Sequence, residues 1–153
     1  MFRKATTKDG NKILKLIDEA LSSYNLKINP DETDKDLMDI DTNYFKNNGW
    51  FEVYEVNNQI VGSYGLYKVS DDICELRKMY LSPKYQGKGI GKLMMDKVII
   101  NANRLNYKTI ILESNRKLGH AFELYKKYGF QEFIPDHLSE RCDFAMKKNL
   151  NIE

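Results

Sequence analysis

The segment YLSPKYQGKGIGKLMMDKV, Tyr80 to Val98, limits the possible folds more than any other part of the chain. Glycines at 87, 89 and 91 stand after a strand-like run, ICELRKMYL (Ile73 to Leu81), and before a helical pattern marked by Ile90, Leu93, Met94, Val98 and Ala102. Without side chains at those positions the backbone turns sharply and lets a ligand come close, while successive N–H groups point outward where the helix begins. Unsatisfied amides and the positive end of the helix dipole make such a place an anion site. Spacing excludes two familiar phosphate loops. A G-x-x-x-x-G-K-[ST] loop ending on Gly91 and Lys92 has Gln86 where its first glycine belongs and Leu93 where its hydroxyl belongs. G-x-G-x-x-G fails at Lys92 when begun at Gly87 and at Met94 when begun at Gly89. What remains is Q-x-x-G-x-G, Gln86 to Gly91, which suits a pyrophosphate; a tight turn with no ligand is the plainer alternative.

The rest of the chain supplies the elements around this loop. Phe2 to Ala5 reads as a strand, and Thr6 with Asp9 as a capping box before an amphipathic helix carrying Ile13, Leu14, Ile17, Ala20, Leu21 and Tyr24. Pro30 breaks the pattern, and a weaker helix is expected from about Thr33 to Lys46. WFEVYEV and QIVGSYGLYKV are strands joined at Asn57 and Asn58, residues suited to the positive φ of a two-residue turn. Lys108 to Ser114 is a buried strand, so strand, glycine loop, helix and strand make one right-handed βαβ unit. A last helix ends at Gly129, and FQEFI with CDFAMKKNL closes the sheet as an antiparallel pair. The expected class is α+β, a mixed and mainly antiparallel sheet flanked by helices.

With 153 residues, one domain over 1–153 is the expectation. A net charge of +2 gives no reason to expect nucleic acid or an anionic membrane as partner, and no apolar run is long enough to span a bilayer. Cys74 and Cys142 lack CxxC spacing and a histidine cluster, so no metal is expected and a reduced, cytoplasmic location is. His120 and His137 read as surface residues, and a homodimer is left open.

ELRKMYLSPKYQGKGIGKLMM, followed by IILES and AFELYKKYGF, resembles the GNAT superfamily of N-acetyltransferases, which bind acetyl-CoA through a Q/R-x-x-G-x-G/A loop. The resemblance is strongest from Glu75 to Phe130. It implies that the amides of Gln86, Gly87, Lys88, Gly89, Ile90 and Gly91 bind the CoA pyrophosphate, with added charge from Lys88 or Lys92. It also implies that the pantetheine arm runs along the main chain of Met79, Tyr80 and Leu81 like an added strand.

Transfer to an amine needs a neutral nucleophile, a hold on the oxyanion and a proton for the thiolate. By resemblance Tyr125 donates that proton and the Met79 amide holds the thioester oxygen; packing of Tyr125 with Ala121 and Tyr128 is the structural alternative. Glu75 stands where some members carry a general base, yet strand alternation puts it beside Arg77, Met79 and Leu81, so an ion pair with Arg77 reads equally well. Many relatives have an asparagine at the position of Leu118, and Asn115 is the candidate substitute for that CoA contact. Cys142 reads as an ordinary thiol. Asp31, Glu32, Asp34, Asp36, Asp39 and Asp41 either form a solvated face or attract a cationic amine acceptor. The alternative to an N-acetyltransferase is a non-catalytic acyl-CoA-binding sensor, which needs neither Tyr125 nor Glu75.

Overall fold

The computed structural model describes residues 1–150. Seven strands form one sheet: β1 Phe2–Lys4, β2 Trp50–Val56, β3 Gln59–Lys68, β4 Ile73–Leu81, β5 Thr109–Ser114, β6 Gln131–Phe133 and β7 Phe144–Asn149, in the order β1-β2-β3-β4-β5-β7-β6. Every neighbouring pair is antiparallel except β4 with β5. Four helices accompany it: α1 Gly10–Ser22, α2 Ile40–Asn43, α3 Ile90–Arg104 and α4 Gly119–Lys127. The expected mixed α+β architecture with a single parallel crossover is therefore the observed one.

Alternation along β2 and β3 splits the core between the two faces of the sheet. Phe51 and Val53 join Ile13, Ile17 and Leu21 of α1 with Leu37, Ile40 and Tyr44 on one side. Tyr64 and Leu66 join Met95, Val98 and Ala102 of α3 with Tyr125 and Phe130 on the other. Glu52 also faces α3, where buried Asn101 donates to it at 3.1 Å and Tyr64 donates its hydroxyl, so the buried carboxylate is not left without partners. Asn57 and Asn58 take φ of 51° and 63° in the β2–β3 turn, and Gly129 closes α4 at φ 88°.

Two expectations fail locally. The continuous helix from Thr33 to Lys46 is broken into a 3-10 turn at Lys35–Asp39, the single turn of α2 and another 3-10 turn at Phe45–Asn47. Asp39 is the reason: it leaves helical geometry at φ −147° and its carboxylate accepts from the Thr42 amide at 3.1 Å, starting α2 afresh. The second failure is in β4. Lys78 sits at φ 56°, and the register against β3 moves from Gly65↔Arg77 to Ser63↔Tyr80, so the strand carries an extra residue. Alternation is rephased there. Arg77 stacks on Tyr67 and Lys78 reaches Asp34 on the α1 side, whereas Met79 packs with the α3–α4 core. Glu75 and Arg77 thus do not share a face with Met79.

The parallel pairing is short. β4 meets β5 only at Ile73↔Thr109, Cys74↔Ile110 and Glu75↔Ile111, while β5 stays paired with β7 through Ser114. Beyond Glu75 the two strands separate, and the opening faces the glycine loop.

Candidate active site

Two cavities meet in that opening. One, of about 440 Å³, runs from Gln86, Gly87 and Gly91 past Leu81 and Met94 to Tyr125. The other, of about 380 Å³, lies between Glu75, Arg77, Glu113 and Cys142. Met79, Tyr80, Leu118, Ala121 and Tyr125 line both, so the two are one passage with a shared waist.

The glycine loop is shaped as an anion cradle. Gly87 and Gly89 take φ of 77° and 84°, which L-residues rarely adopt, and a Cβ placed on either meets nothing within 4 Å. The space beside them is open to a ligand. From Gly87 to Lys92 the amides donate to no group among the described residues, and the next amide, Leu93, closes onto the Gly89 carbonyl at 3.3 Å. These are the free donors a helix start offers to a phosphate. Gln86 braces the loop, its Nε2 donating to the Leu81 carbonyl at 3.2 Å. The side chain of Ile90 is buried, which fixes the start of α3. Lys88 lies over the Tyr85 ring, 5.2 Å from its centroid, and Lys92 is exposed.

Tyr125 is the buried residue of α4, and its ring packs into the core 5.8 Å from that of Phe130, at the waist. It is 5% exposed, and its hydroxyl has no hydrogen-bond partner among the described residues. Burial, with the neighbouring Tyr80 and Cys142, pushes its pKa well above that of an ordinary tyrosine, so the phenol keeps its proton at neutral pH. A protonated donor facing a passage can deliver that proton to a leaving group.

The other expected residues are placed unevenly. Met79, Tyr80 and Leu81 border the passage. Glu75 lines the second cavity, but its Oε1 accepts from Arg77 Nε at 2.5 Å, so the ion pair is realised. Asn115 borders that same second cavity and not the glycine-loop side; its Nδ2 donates to the Arg141 carbonyl at 3.1 Å and its Oδ1 accepts from the Lys117 amide at 2.9 Å. Both ends of its amide are thus engaged by the protein. The acidic cluster is not a free face either: Asp34 is buried against Lys78 and Arg141, and Asp36 against Lys78, while Asp31, Glu32, Asp39 and Asp41 stay exposed. Cys142 reaches the second cavity, with burial raising its pKa and holding it as a thiol.

Sequence reasoning missed Glu113 and Arg141, which come to this cavity from β5 and the β6–β7 connection, while His137, read as a surface residue, is exposed and also borders the cavity. No spacing in the chain signals them, since only the strand order brings residues 113 and 141 beside 75. Glu113 there accepts from the Ser139 amide at 2.9 Å.

Residues 46–132 match the model of the acetyltransferase (GNAT) domain. An uncharacterized N-acetyltransferase of Escherichia coli, YjgM, is 29% identical over 136 residues, covering 86% of this chain and 81% of that protein. The chain spans under half the length of several other curated relatives that it matches. A GNAT-family acetyltransferase from Staphylococcus aureus Mu50 superposes with a TM-score of 0.87 at 25% identity, over 99% of each chain. A GNAT-family acetyltransferase from Elizabethkingia anophelis, solved with acetyl-CoA bound, is 25% identical with a TM-score of 0.58, over 72% of this chain and 81% of that one. Since the domain match takes in more than half of the sequence, and the sheet with its glycine loop agrees with it, the protein belongs to the GNAT acetyltransferase family.

Proposed function

We propose that this protein is an acetyl-CoA-dependent N-acetyltransferase that moves an acetyl group to a primary amine by direct attack on the thioester, within a single domain. The observation that carries the reading is the place of Tyr125 at the waist between the two cavities, its hydroxyl without a hydrogen-bond partner among the described residues. The amides from Gly87 to Gly91 take the pyrophosphate, and the main chain of Met79, Tyr80 and Leu81 takes the pantetheine arm as an added strand. Acetyl-CoA supplies an activated carbonyl and a thiolate leaving group. As the amine nitrogen bonds to that carbonyl, the Met79 N–H receives the developing oxyanion. The C–S bond then breaks, and Tyr125 gives its proton to the sulfur. The amine enters from the second cavity, where Glu75 and Glu113 each hold one oxygen in a protein hydrogen bond. The remaining oxygens accept from an arriving ammonium, and Glu75 takes one of its protons to leave the neutral amine that attacks; the second proton that the nitrogen sheds as the amide forms passes through water to restore the Tyr125 phenol.

The bound acetyl-CoA of the E. anophelis relative supports the co-substrate, and the shared fold supports the path. The test is thiol release from acetyl-CoA across a panel of monoamines, polyamines, aminoglycosides and lysine- or N-terminal-amine peptides. At least one amine is expected to raise CoA release well above hydrolysis by water. CoA binding without acceleration by any of them would instead identify a sensor of acyl-CoA.

A further inference from the structure

The second cavity is walled by two loops far apart in the chain: Glu32 and Thr33 from the segment after α1, and His137, Ser139, Arg141 and Cys142 from the β6–β7 connection. One fully buried carboxylate, Asp34, joins them. Its Oδ2 accepts from Arg141 Nη1 at 2.8 Å and from the Asn29 amide at 2.8 Å; its Oδ1 accepts from Arg141 Nη2 at 3.0 Å and from Lys78 Nζ at 2.9 Å. The cations reach further. Lys78 Nζ donates to the Thr33 carbonyl at 2.6 Å and lies 3.2 Å from Asp36, and Arg141 Nη1 donates to the Lys27 carbonyl at 3.1 Å. Two carboxylates thus face two cations, with Asp34 and Lys78 buried and Asp36 and Arg141 mostly so.

Such a group is a poor source of net stability, because desolvating the charges offsets their attraction, and apolar side chains fill the same volume at lower cost. What it does provide is geometry, since a bidentate guanidinium fixes direction as well as distance. The third member gives that geometry a use. Lys78 is the β4 residue held at φ 56°, its side chain tied to Asp34 and its own carbonyl accepting from Ser63 Oγ at 2.7 Å. The residue that follows is Met79, whose amide faces the thioester in the reading above.

We propose that Asp34 is the positioning residue of the acceptor site: by joining Arg141 and Lys78 it clamps both wall loops onto the β4 bulge, so that the amine-binding wall and the Met79 amide keep one relative geometry. This rests on the acetyltransferase reading for the purpose of the clamp, but not for its existence.

Asp34→Asn keeps the size and removes the charge; Arg141→Gln opens the same clamp from the other loop, at a side chain that is 13% exposed and so better able to tolerate truncation. Amide hydrogen exchange is measured by mass spectrometry on the CoA-bound protein. In either variant, residues 27–34 and 137–142 are both expected to exchange about tenfold faster or more, while α3 stays at the parent rate. CoA affinity should stay within about twofold, since the glycine loop that takes the pyrophosphate shares none of these contacts, while kcat falls as the Met79 amide loses its place. With the amine that the parent acetylates best, KM for the amine is expected to rise about tenfold with KM for acetyl-CoA unmoved, Arg141→Lys to recover part of the loss, and the double variant to be no worse than either single one. Parent-rate exchange at 27–34 in Arg141→Gln overturns the clamp, as does uniform acceleration over the whole fold. Loosened loops with an unchanged amine KM overturn the positioning role. If Asp34→Asn does not fold, Arg141→Gln carries the comparison alone. If the parent acetylates no amine, the functional reading fails while the exchange data still decide the clamp.

Discussion

Among single residues, Tyr125 separates packing from chemistry most cleanly. Its ring belongs to the core and the residue also lines the passage, so Tyr125→Phe keeps the ring and removes only the hydroxyl with its proton. Transfer is expected to slow by about 10²- to 10⁴-fold with CoA affinity and melting temperature nearly unchanged. Parent-like turnover in the variant, with acetyl transfer rate-limiting, would remove Tyr125 from the mechanism. Position in sequence alone left this tyrosine open between core aromatic and acid, because both readings want a ring at 125. Burial resolves nothing by itself, since the ring is as enclosed as a structural one; the unpartnered hydroxyl at a cavity wall is what supports the chemical role.

At the level of elements, the glycine loop is the part most legible in the sequence, and it also gives the sharpest test there. Gly89 begins α3 in the left-handed region with free space beside it. A Cβ at this position meets no protein atom within 4 Å, but the backbone strain of a valine there, about 1–2 kcal/mol, is relieved if the loop leaves the cradle shape. Gly89→Val is therefore expected to fold and to bind CoA roughly tenfold or more weakly, measured by calorimetry. Unchanged affinity in a folded variant would show that the cradle does not require that φ. Glycines and the Asn57–Asn58 turn announce themselves because few residues tolerate positive φ. Lys78 gives no such signal: a lysine in the middle of a strand reads as ordinary alternation, and the tethers that hold it at φ 56° come from Asp34 and Ser63, distant in sequence. Asp39 was similarly hidden inside an apolar pattern that suited a longer helix, and its capping bond prevailed over the pattern.

At the scale of the whole molecule, two carboxylates that ionise more readily in the fold than in the unfolded chain make stability depend on pH. Arg3 hydrogen-bonds Asp9 and lowers its pKa; burial pushes Asp34 up, but Arg141, Lys78 and the Asn29 amide outweigh it and leave the group at about 2. Both folded values lie below the ordinary 3.8, so this stabilisation is complete above that pH and is lost as pH falls towards 2. Urea titrations at a series of pH values should show stability declining between about pH 4 and pH 2, with a shallower decline in Asp34→Asn. Equal slopes would mean that Asp34 does not carry its share. At neutral pH, CoA at about a hundred times its Kd should add roughly 2.7 kcal/mol and raise the melting temperature by several degrees, whereas ATP and NAD should leave it unmoved. Protection by ATP without protection by CoA would reverse the assignment of the loop. The parting of β4 from β5 after Glu75 has a further consequence. Outer strand edges invite other chains to pair with them, but this edge lies inside the molecule, between Ala20 and Tyr24 on one side and Leu118, Ala121 and Leu124 on the other. Its unpaired main chain is thus turned away from a strand on the protein's outer surface and left to whatever enters the cavity.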